Sequence, residues 1–172
     1  MQSKNLIKIE CAGSGKTWNI CNLALSIVSS DIDKRVAIIS YTNRGIQAIL
    51  SEIKKQNNGV LHRRIIIKSL YSFLLNELIK PYQTYIFEIN EIKNLDFSNM
   101  YGFINKFRIG QKKRYVTSGR NIAANEAAEL VTQLNTNSNG QVIKRLEKIY
   151  DTVFFDEVQD LSGYDLEIIK LI

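Results

Sequence analysis

Cys11-Ala12-Gly13-Ser14-Gly15-Lys16-Thr17 is a loop of mostly small residues around which the rest of the chain is organised. It follows an apolar run, Leu6–Ile9, and precedes a helical pattern that begins near Lys16. Small residues let successive backbone N–H groups turn toward one point, where the positive end of the helix dipole also lies. This arrangement is typical of a loop that binds the β- and γ-phosphates of a nucleotide. The residues predicted to bind the nucleotide are Ala12, Gly13, Ser14, Gly15, Lys16 and Thr17.

Two side chains in this loop are also predicted to bind the nucleotide and its metal ion directly. The Lys16 ammonium neutralises phosphate charge, and the Thr17 hydroxyl binds Mg²⁺. Glu10 stands where the strict pattern G-x-x-x-x-G-K-[ST] has its first glycine, so a chance Gly/Ser-rich turn is the alternative.

An acidic motif near residue 156 supports the phosphate-binding interpretation. Thr152–Phe155 is an apolar run typical of a strand, and it leads directly into Asp156-Glu157-Val158-Gln159-Asp160. An aspartate at the tip of a strand can hold Mg²⁺, and an adjacent glutamate can orient or deprotonate an attacking water. Acidic residues after a strand are also common in solvated turns, so the motif is informative mainly in combination with the loop at 11–17.

Length and composition describe one ordinary globular domain. The chain has 172 residues, of which 45% are apolar and 23% charged. No apolar run approaches the roughly 20 residues that span a bilayer, and no signal-peptide pattern opens the chain, so we expect a cytoplasmic location. Cys11 and Cys21 form no disulfide framework and the single histidine no zinc set, so both thiols are predicted to be packed or loop residues. The net charge of +6 favours a polyanionic partner without identifying one.

Strand-like and helical patterns alternate in the first half of the chain. Helical patterns cover Lys16 to about Ser29, Gly45 to about Lys55, and a segment that ends at Pro81. Apolar, β-branched runs at Arg35–Ser40 and Arg64–Lys68 lie between them. This alternation predicts an α/β fold, a doubly wound parallel sheet with helices on both faces. Right-handed crossovers then bring the loops before the helices to the same edge of the sheet.

The remainder of the chain is predicted to be mainly helical. The clear alternation is lost after Pro81, and residues 81–139 are interpreted as a small, mainly helical inserted subdomain with a basic run, Lys112–Arg114. That run is a candidate contact for a nucleic-acid backbone or simply a solvated face. Helices are predicted over Asn121–Leu134 and Gln141–Tyr150, and an S-x-x-D capping box that starts at Ser162 opens the last helix.

Three motifs in this order resemble the first lobe of a UvrD/Rep-type superfamily 1 DNA helicase. They are Ala12–Thr17, Ser40-Tyr41-Thr42-Asn43-Arg44 and Phe155–Asp160. Ser69-Leu70-Tyr71-Ser72-Phe73 is similar to a fourth family motif, which usually has Thr at its start and His before the Ser-Phe pair. The resemblance implies a P-loop NTPase (RecA-like) lobe. It is formed by residues 1–80 and 140–172 and interrupted by the insertion at 81–139.

The same resemblance implies an enzyme that binds ATP–Mg²⁺ and single-stranded DNA and couples ATP hydrolysis to strand movement. The residues implied in catalysis are Lys16, Glu157 and Gln159, where Glu157 activates the water and Gln159 relays the state of the γ-phosphate toward the DNA. Thr17 and Asp156 are implied as metal ligands. The residues implied to line the DNA groove are Tyr41, Thr42, Asn43, Ser72 and Phe73. For Tyr41 and Phe73, burial in the core beneath the sheet edge is the alternative.

Two features of the family are missing from this sequence. The upstream glutamine motif that reads adenine is absent, and so is the second helicase lobe, which supplies arginines to the γ-phosphate. We therefore expect this chain alone to be weakly active or inactive. One alternative function is a nucleotide-regulated DNA-binding module without turnover. Another is a small P-loop kinase, although the sequence lacks an arginine-rich lid and a kinase has no use for Gln159.

Overall fold

The computed structural model describes residues 15–87, 91–98, 106–158 and 161–172. The predicted strand Leu6–Ile9 lies outside them. Contacts group the chain into two compact units, unit 1 with residues 1–69, 147–160 and 172, and unit 2 with residues 70–146 and 161–171. The chain passes from unit 1 to unit 2 after residue 69 and returns to unit 1 after residue 146. The domain boundaries that the resemblance predicts, at residues 80 and 140, stay a prediction.

The described residues form short strands and eight α-helices or α-helical turns. The strands are β1 (Val36–Ser40), β2 (Ile65–Ser69), β3 (Leu95–Asp96), β4 (Ile122–Ala123) and β5 (Thr152–Asp156). The helices are α1 (Lys16–Ser30), α2 (Asn43–Gln56), α3 (Leu70–Phe73), α4 (Gln83–Phe87), α5 (Lys112–Tyr115), α6 (Ala127–Asn137), α7 (Gln141–Ile149) and α8 (Gly163–Leu171). A π-helix covers Leu74–Ile79, and 3₁₀ turns cover Lys80–Tyr82, Ser118–Arg120 and Ala124–Glu126.

Unit 1 contains a three-stranded parallel sheet with the order β2-β1-β5. The predicted α/β class with a parallel sheet is therefore confirmed. Its register pairs Ser40 with both Ser69 and Asp156 at the carboxyl ends of the strands. At the other end of β5, Asp151 fixes the register, because its carboxylate accepts from the Arg35 N–H at 2.8 Å and its N–H donates to the Arg35 carbonyl at 2.9 Å.

One face of this sheet carries both α1 and α2. Residues 36, 38 and 40 of β1 alternate with residues 37 and 39, so they share one face of the sheet. The fully buried cluster on that face consists of Cys21, Ala24 and Val28 of α1, Ile49 and Ile53 of α2, and Val36, Ile38 and Ile65 of the sheet. Since paired residues of parallel strands point the same way, Ser40 and Asp156 lie on this helical face.

Arg64, directly before β2, closes the C-terminus of α1. Its guanidinium donates to the carbonyls of Val28 and Asp31, and to that of Lys34 at 3.2 Å. The last carbonyls of a helix have no partner within the helix, and a buried carbonyl without a partner is costly. Arg64 therefore ties the end of α1 to the start of β2.

Unit 2 departs from the sequence prediction at two places. Pro81 does not end the helical segment after β2, because it lies at the start of a 3₁₀ turn, where the missing N–H is not needed. The predicted helix Asn121–Leu134 begins late: Ile122–Ala123 pairs with β3 instead, and α6 then extends to Asn137. The predictions of α7 and of α8 after Ser162 are confirmed.

The basic run of unit 2 is only partly a surface feature. Arg114 forms a two-pronged ion pair with Glu129, at 2.7 and 2.8 Å, and a further one with Glu126 at 2.9 Å. The buried Tyr115 hydroxyl donates to the same Glu129 carboxylate at 2.7 Å. Arg114 is therefore a structural residue that pairs inside unit 2, rather than a contact for a nucleic-acid backbone or part of a solvated face. Its neighbour Lys113 is exposed.

Arg64→Ala should lower the free energy of unfolding by about 2 kcal/mol, because the carbonyls at the end of α1 lose a charged donor. Urea unfolding of the two variants Arg64→Ala and Arg63→Ala measures this. Arg63 is the matched control, since it is exposed and makes no ion pair among the described residues, and its removal should cost less than about 0.5 kcal/mol. Equal losses in both variants would contradict the capping role.

Candidate functional site

The candidate site lies where β1 and β5 end. Ser40 and Asp156 are paired there, so the residues that follow each strand leave the sheet at the same edge. Tyr41 and Thr42 follow β1, and Glu157 follows β5. The structure thereby brings Thr42 close to the adjacent residues Asp156 and Glu157, which lie more than a hundred residues further along the sequence.

The N-terminus of α1 approaches Asp156 on the same face of the sheet. Gly15 precedes α1 with φ of 78°, a left-handed conformation that favours glycine. Lys16 and Thr17 are half-buried in the first turn of α1. Lys16 lies close enough for its positive charge to lower the pKa of Asp156. The remaining predicted phosphate-binding residues, Ala12, Gly13 and Ser14, lie outside the described residues.

The Asp156 carboxylate is held in an environment that disfavours its charge. Burial raises its pKa, and the neighbouring Glu157 charge raises it further. A hydrogen bond from the Glu157 N–H to Asp156 Oδ1, at 3.1 Å, and the charge of Lys16 act in the opposite direction. Two adjacent carboxylates in a half-buried site are an arrangement that a divalent cation relieves.

These residues fit a magnesium ion that is completed by a bound nucleotide. Mg²⁺ is usually held by one or two carboxylates together with phosphate oxygens and water, rather than by a full protein cage. The Asp156 carboxylate would be one oxygen ligand of this kind, and Thr17, in the first turn of α1, carries a hydroxyl oxygen that would be another. Among the described residues, no group of three or more His, Cys, Asp or Glu side chains is placed to hold a metal.

Glu157 has a strained backbone and a positioned side chain. Its φ is 61°, a left-handed backbone conformation that residues other than glycine rarely adopt. Its Oε2 atom accepts a hydrogen bond from Thr42 Oγ1 at 3.2 Å. Strain of this kind persists where surrounding contacts hold the residue in place, and it is concentrated at functional sites.

Thr42 is also the N-cap of α2. Its Oγ1 atom accepts from the Gly45 N–H at 3.0 Å, which satisfies one of the free donors at the start of the helix. The sequence prediction began this helix at Gly45 and therefore missed the cap. The signal was present, since a threonine directly before an amphipathic helix is a common N-cap.

Gly45 allows α2 to approach the end of β1. A Cβ atom on Gly45 would collide with the Ser40 hydroxyl. Ser40 is fully buried, and among the described residues its hydroxyl has no hydrogen-bond partner. Neither residue was singled out from the sequence for this contact, because a helical glycine carries no local mark of a tertiary approach.

The residues implied to bind DNA have different surroundings. Tyr41 is 36% exposed and Asn43 is exposed, so both are presented to solvent at the site edge, and core packing of Tyr41 is excluded. Phe73 is fully buried in this structure, so its ring is a core residue and is not presented to DNA. Ser72 is half-buried in unit 2, and its Oγ accepts from Asn76 at 3.2 Å.

Predictions remain for the two cysteines, Cys11 and Cys21, and for Gln159 in the acidic motif. Cys21 is packed in the core, as predicted, and burial, followed by the charges of Glu52 and Asp156, raises the pKa of its thiol to about 12. Cys11 and Gln159 lie outside the described residues.

Comparisons with protein-family models, curated proteins and solved structures gave no match. The functional interpretation of the site therefore depends on its own residues. No helix in the described part of the chain is long and apolar enough to cross a membrane.

Gly45→Ala should lower the free energy of unfolding by at least about 1 kcal/mol, although alanine favours helices over glycine by a similar amount. The reason is the collision of the new methyl group with Ser40. In a Ser40→Ala background, which removes the colliding hydroxyl, the loss should be smaller, because only the tight contacts to Thr42 Oγ1 at 3.1 Å and to the Cβ of residue 40 at 3.3 Å remain. Chemical unfolding of the single and double variants measures the difference. Equal losses in both backgrounds would contradict the close approach.

Proposed function

We propose that this chain is the N-terminal, nucleotide-binding lobe of an ATP-dependent DNA helicase or translocase. The observation that carries the proposal is the meeting of Asp156 and Glu157 with Lys16 at one edge of a parallel sheet. Ligands of open α/β sheets bind at the carboxyl ends of the strands. Three motifs that resemble those of the UvrD/Rep-type family have described residues at this edge, namely Lys16, Tyr41–Thr42 and Asp156–Glu157.

The residues of the site have complementary roles in the proposed hydrolysis. Lys16 and the N-terminus of α1 attract the phosphates, while Thr17 and Asp156 hold the Mg²⁺ that offsets the negative charge of the γ-phosphate. Glu157 orients a water molecule for attack on the γ-phosphorus and takes up its proton. The bond to the β-phosphate oxygen then breaks, and ADP and inorganic phosphate are released.

The segment Tyr41–Arg44 is the proposed contact for single-stranded DNA. Tyr41 presents part of its ring to solvent, and an aromatic face can stack on a base of any sequence. Asn43 and Arg44 are exposed beside it. Because Thr42 lies in this segment and also contacts Glu157, a ligand on the segment is adjacent to the proposed hydrolytic centre.

Hydrolysis of ATP with Mg²⁺, measured with and without single-stranded DNA, tests this function. We expect slow turnover that DNA stimulates, and losses of about 100-fold or more in Lys16→Ala and Glu157→Gln, because each removes charge or base at the reacting phosphate. Single-turnover conditions with excess protein make slow hydrolysis measurable. Lys55→Ala is the matched control, since Lys55 is exposed in the last turn of α2.

The outcomes separate the competing functions. Phosphate transfer to an added acceptor instead of water would favour the kinase. DNA binding that Mg-ATP modulates, with no hydrolysis, would favour the binding module without turnover. Turnover that is unchanged in Lys16→Ala would contradict the proposed site.

A further inference from the structure

The hydroxyl of Thr42 has both of its hydrogen-bonding functions in use. It accepts from the Gly45 N–H at 3.0 Å and donates to Glu157 Oε2 at 3.2 Å. A hydroxyl carries only one proton, so the proton given to Glu157 is not available to another acceptor. The neighbours Tyr41 and Asn43 are exposed, while Thr42 itself is half-buried.

Thr42 therefore joins two parts of the molecule that are otherwise separate in sequence. On one side it is the N-cap residue of α2, and α2 packs against the core through the buried Ile49 and Ile53. On the other side it contacts a carboxylate whose backbone is held in a left-handed conformation. The hydrogen bond fixes where the Glu157 side chain points relative to α2.

We infer that Thr42 is a positioning residue, whose hydroxyl holds the Glu157 carboxylate in place for hydrolysis and links it to the Tyr41–Asn43 segment. This inference rests on the proposed function, since Glu157 needs to be positioned only if it acts on a water molecule. It reassigns Thr42, which the family resemblance implies as a DNA contact. A ligand that moves the Tyr41–Asn43 segment therefore also moves the Thr42 hydroxyl, which orients the Glu157 carboxylate, the proposed general base.

The hydrogen bond itself is tested by a double-variant cycle of Thr42→Val and Glu157→Ala. Thr42→Val removes both the cap and the donor to Glu157, whereas in the Glu157→Ala background it removes the cap alone. We expect Thr42→Val to increase the unfolding equilibrium constant about tenfold more when Glu157 is present, since hydrogen bonds to charged groups are the stronger ones. An excess below twofold would overturn the inference, whatever the turnover.

Two further variants separate positioning from capping. Thr42→Ser keeps the cap and the donor. Thr42→Asp keeps a good cap but replaces the donor with a negative charge that repels Glu157. We expect Thr42→Ser to retain single-turnover hydrolysis within about threefold of wild type. We expect Thr42→Asp to lose it about 100-fold at saturating Mg-ATP. The variant should also be less stable than wild type by at least the effect that the cycle assigns to the hydrogen bond, yet remain folded at the assay temperature. Thr132→Val is the matched control, because among the described residues the Thr132 hydroxyl bonds only within α6, to the Ala128 carbonyl.

The results distinguish failure of the proposed function from failure of the positioning role of Thr42. If wild type binds no Mg-ATP, the proposed function fails, and the role of Thr42 in hydrolysis fails with it. If wild type hydrolyses ATP and Thr42→Asp does so equally fast, only the positioning role is overturned. If wild type binds Mg-ATP but shows no single turnover, Thr42 has no base to position, and the inference is overturned while nucleotide binding stands.

Discussion

The parallel register between β1 and β5 is the constraint on which the candidate site depends. It is fixed at one end by the mutual hydrogen bonds of Arg35 and Asp151, and it brings Ser40 level with Asp156 at the other. A shift by one residue would turn Asp156 to the opposite face, away from α1 and Lys16. The register of the backbone therefore decides which charges meet.

Above this edge, the site combines close packing with strain. Gly45 lets α2 approach Ser40, and the cap of α2 then places the Thr42 hydroxyl beside Glu157. Glu157 stays in a left-handed conformation that costs on the order of 1–3 kcal/mol. Burial also raises the pKa of Asp156, so its charge is disfavoured in the free protein. Both costs are ones that a bound cation and nucleotide can offset.

The sequence was sufficient for the elements whose pattern is local. The apolar run at 35–40 predicts a central strand, and residues 36–40 are all buried in the structure. The apolar run at 152–155 likewise predicts that Asp156 and Glu157 lie at the end of a strand. Contacts that depend on tertiary approach were not predictable. The burial of Phe73 and the internal pairing of Arg114 depend on which neighbours the chain brings to them, and a basic or aromatic side chain looks the same in either setting. Pro81 misled because proline ends an α-helix yet begins a 3₁₀ turn without penalty.

Asp156 and the N-terminus of α1 are proposed to form one site for a nucleotide and Mg²⁺. Thermal unfolding of wild type and Asp156→Asn, each with and without Mg-ATP, measures whether they do. Because burial disfavours the Asp156 charge, the ligand-free variant should unfold at a higher temperature than wild type at neutral pH. Mg-ATP should raise the midpoint of wild type by more than that of the variant, which keeps Lys16 and the N-terminus of α1 but loses a carboxylate ligand. An equal rise in both proteins, or no rise in either, would contradict the claim.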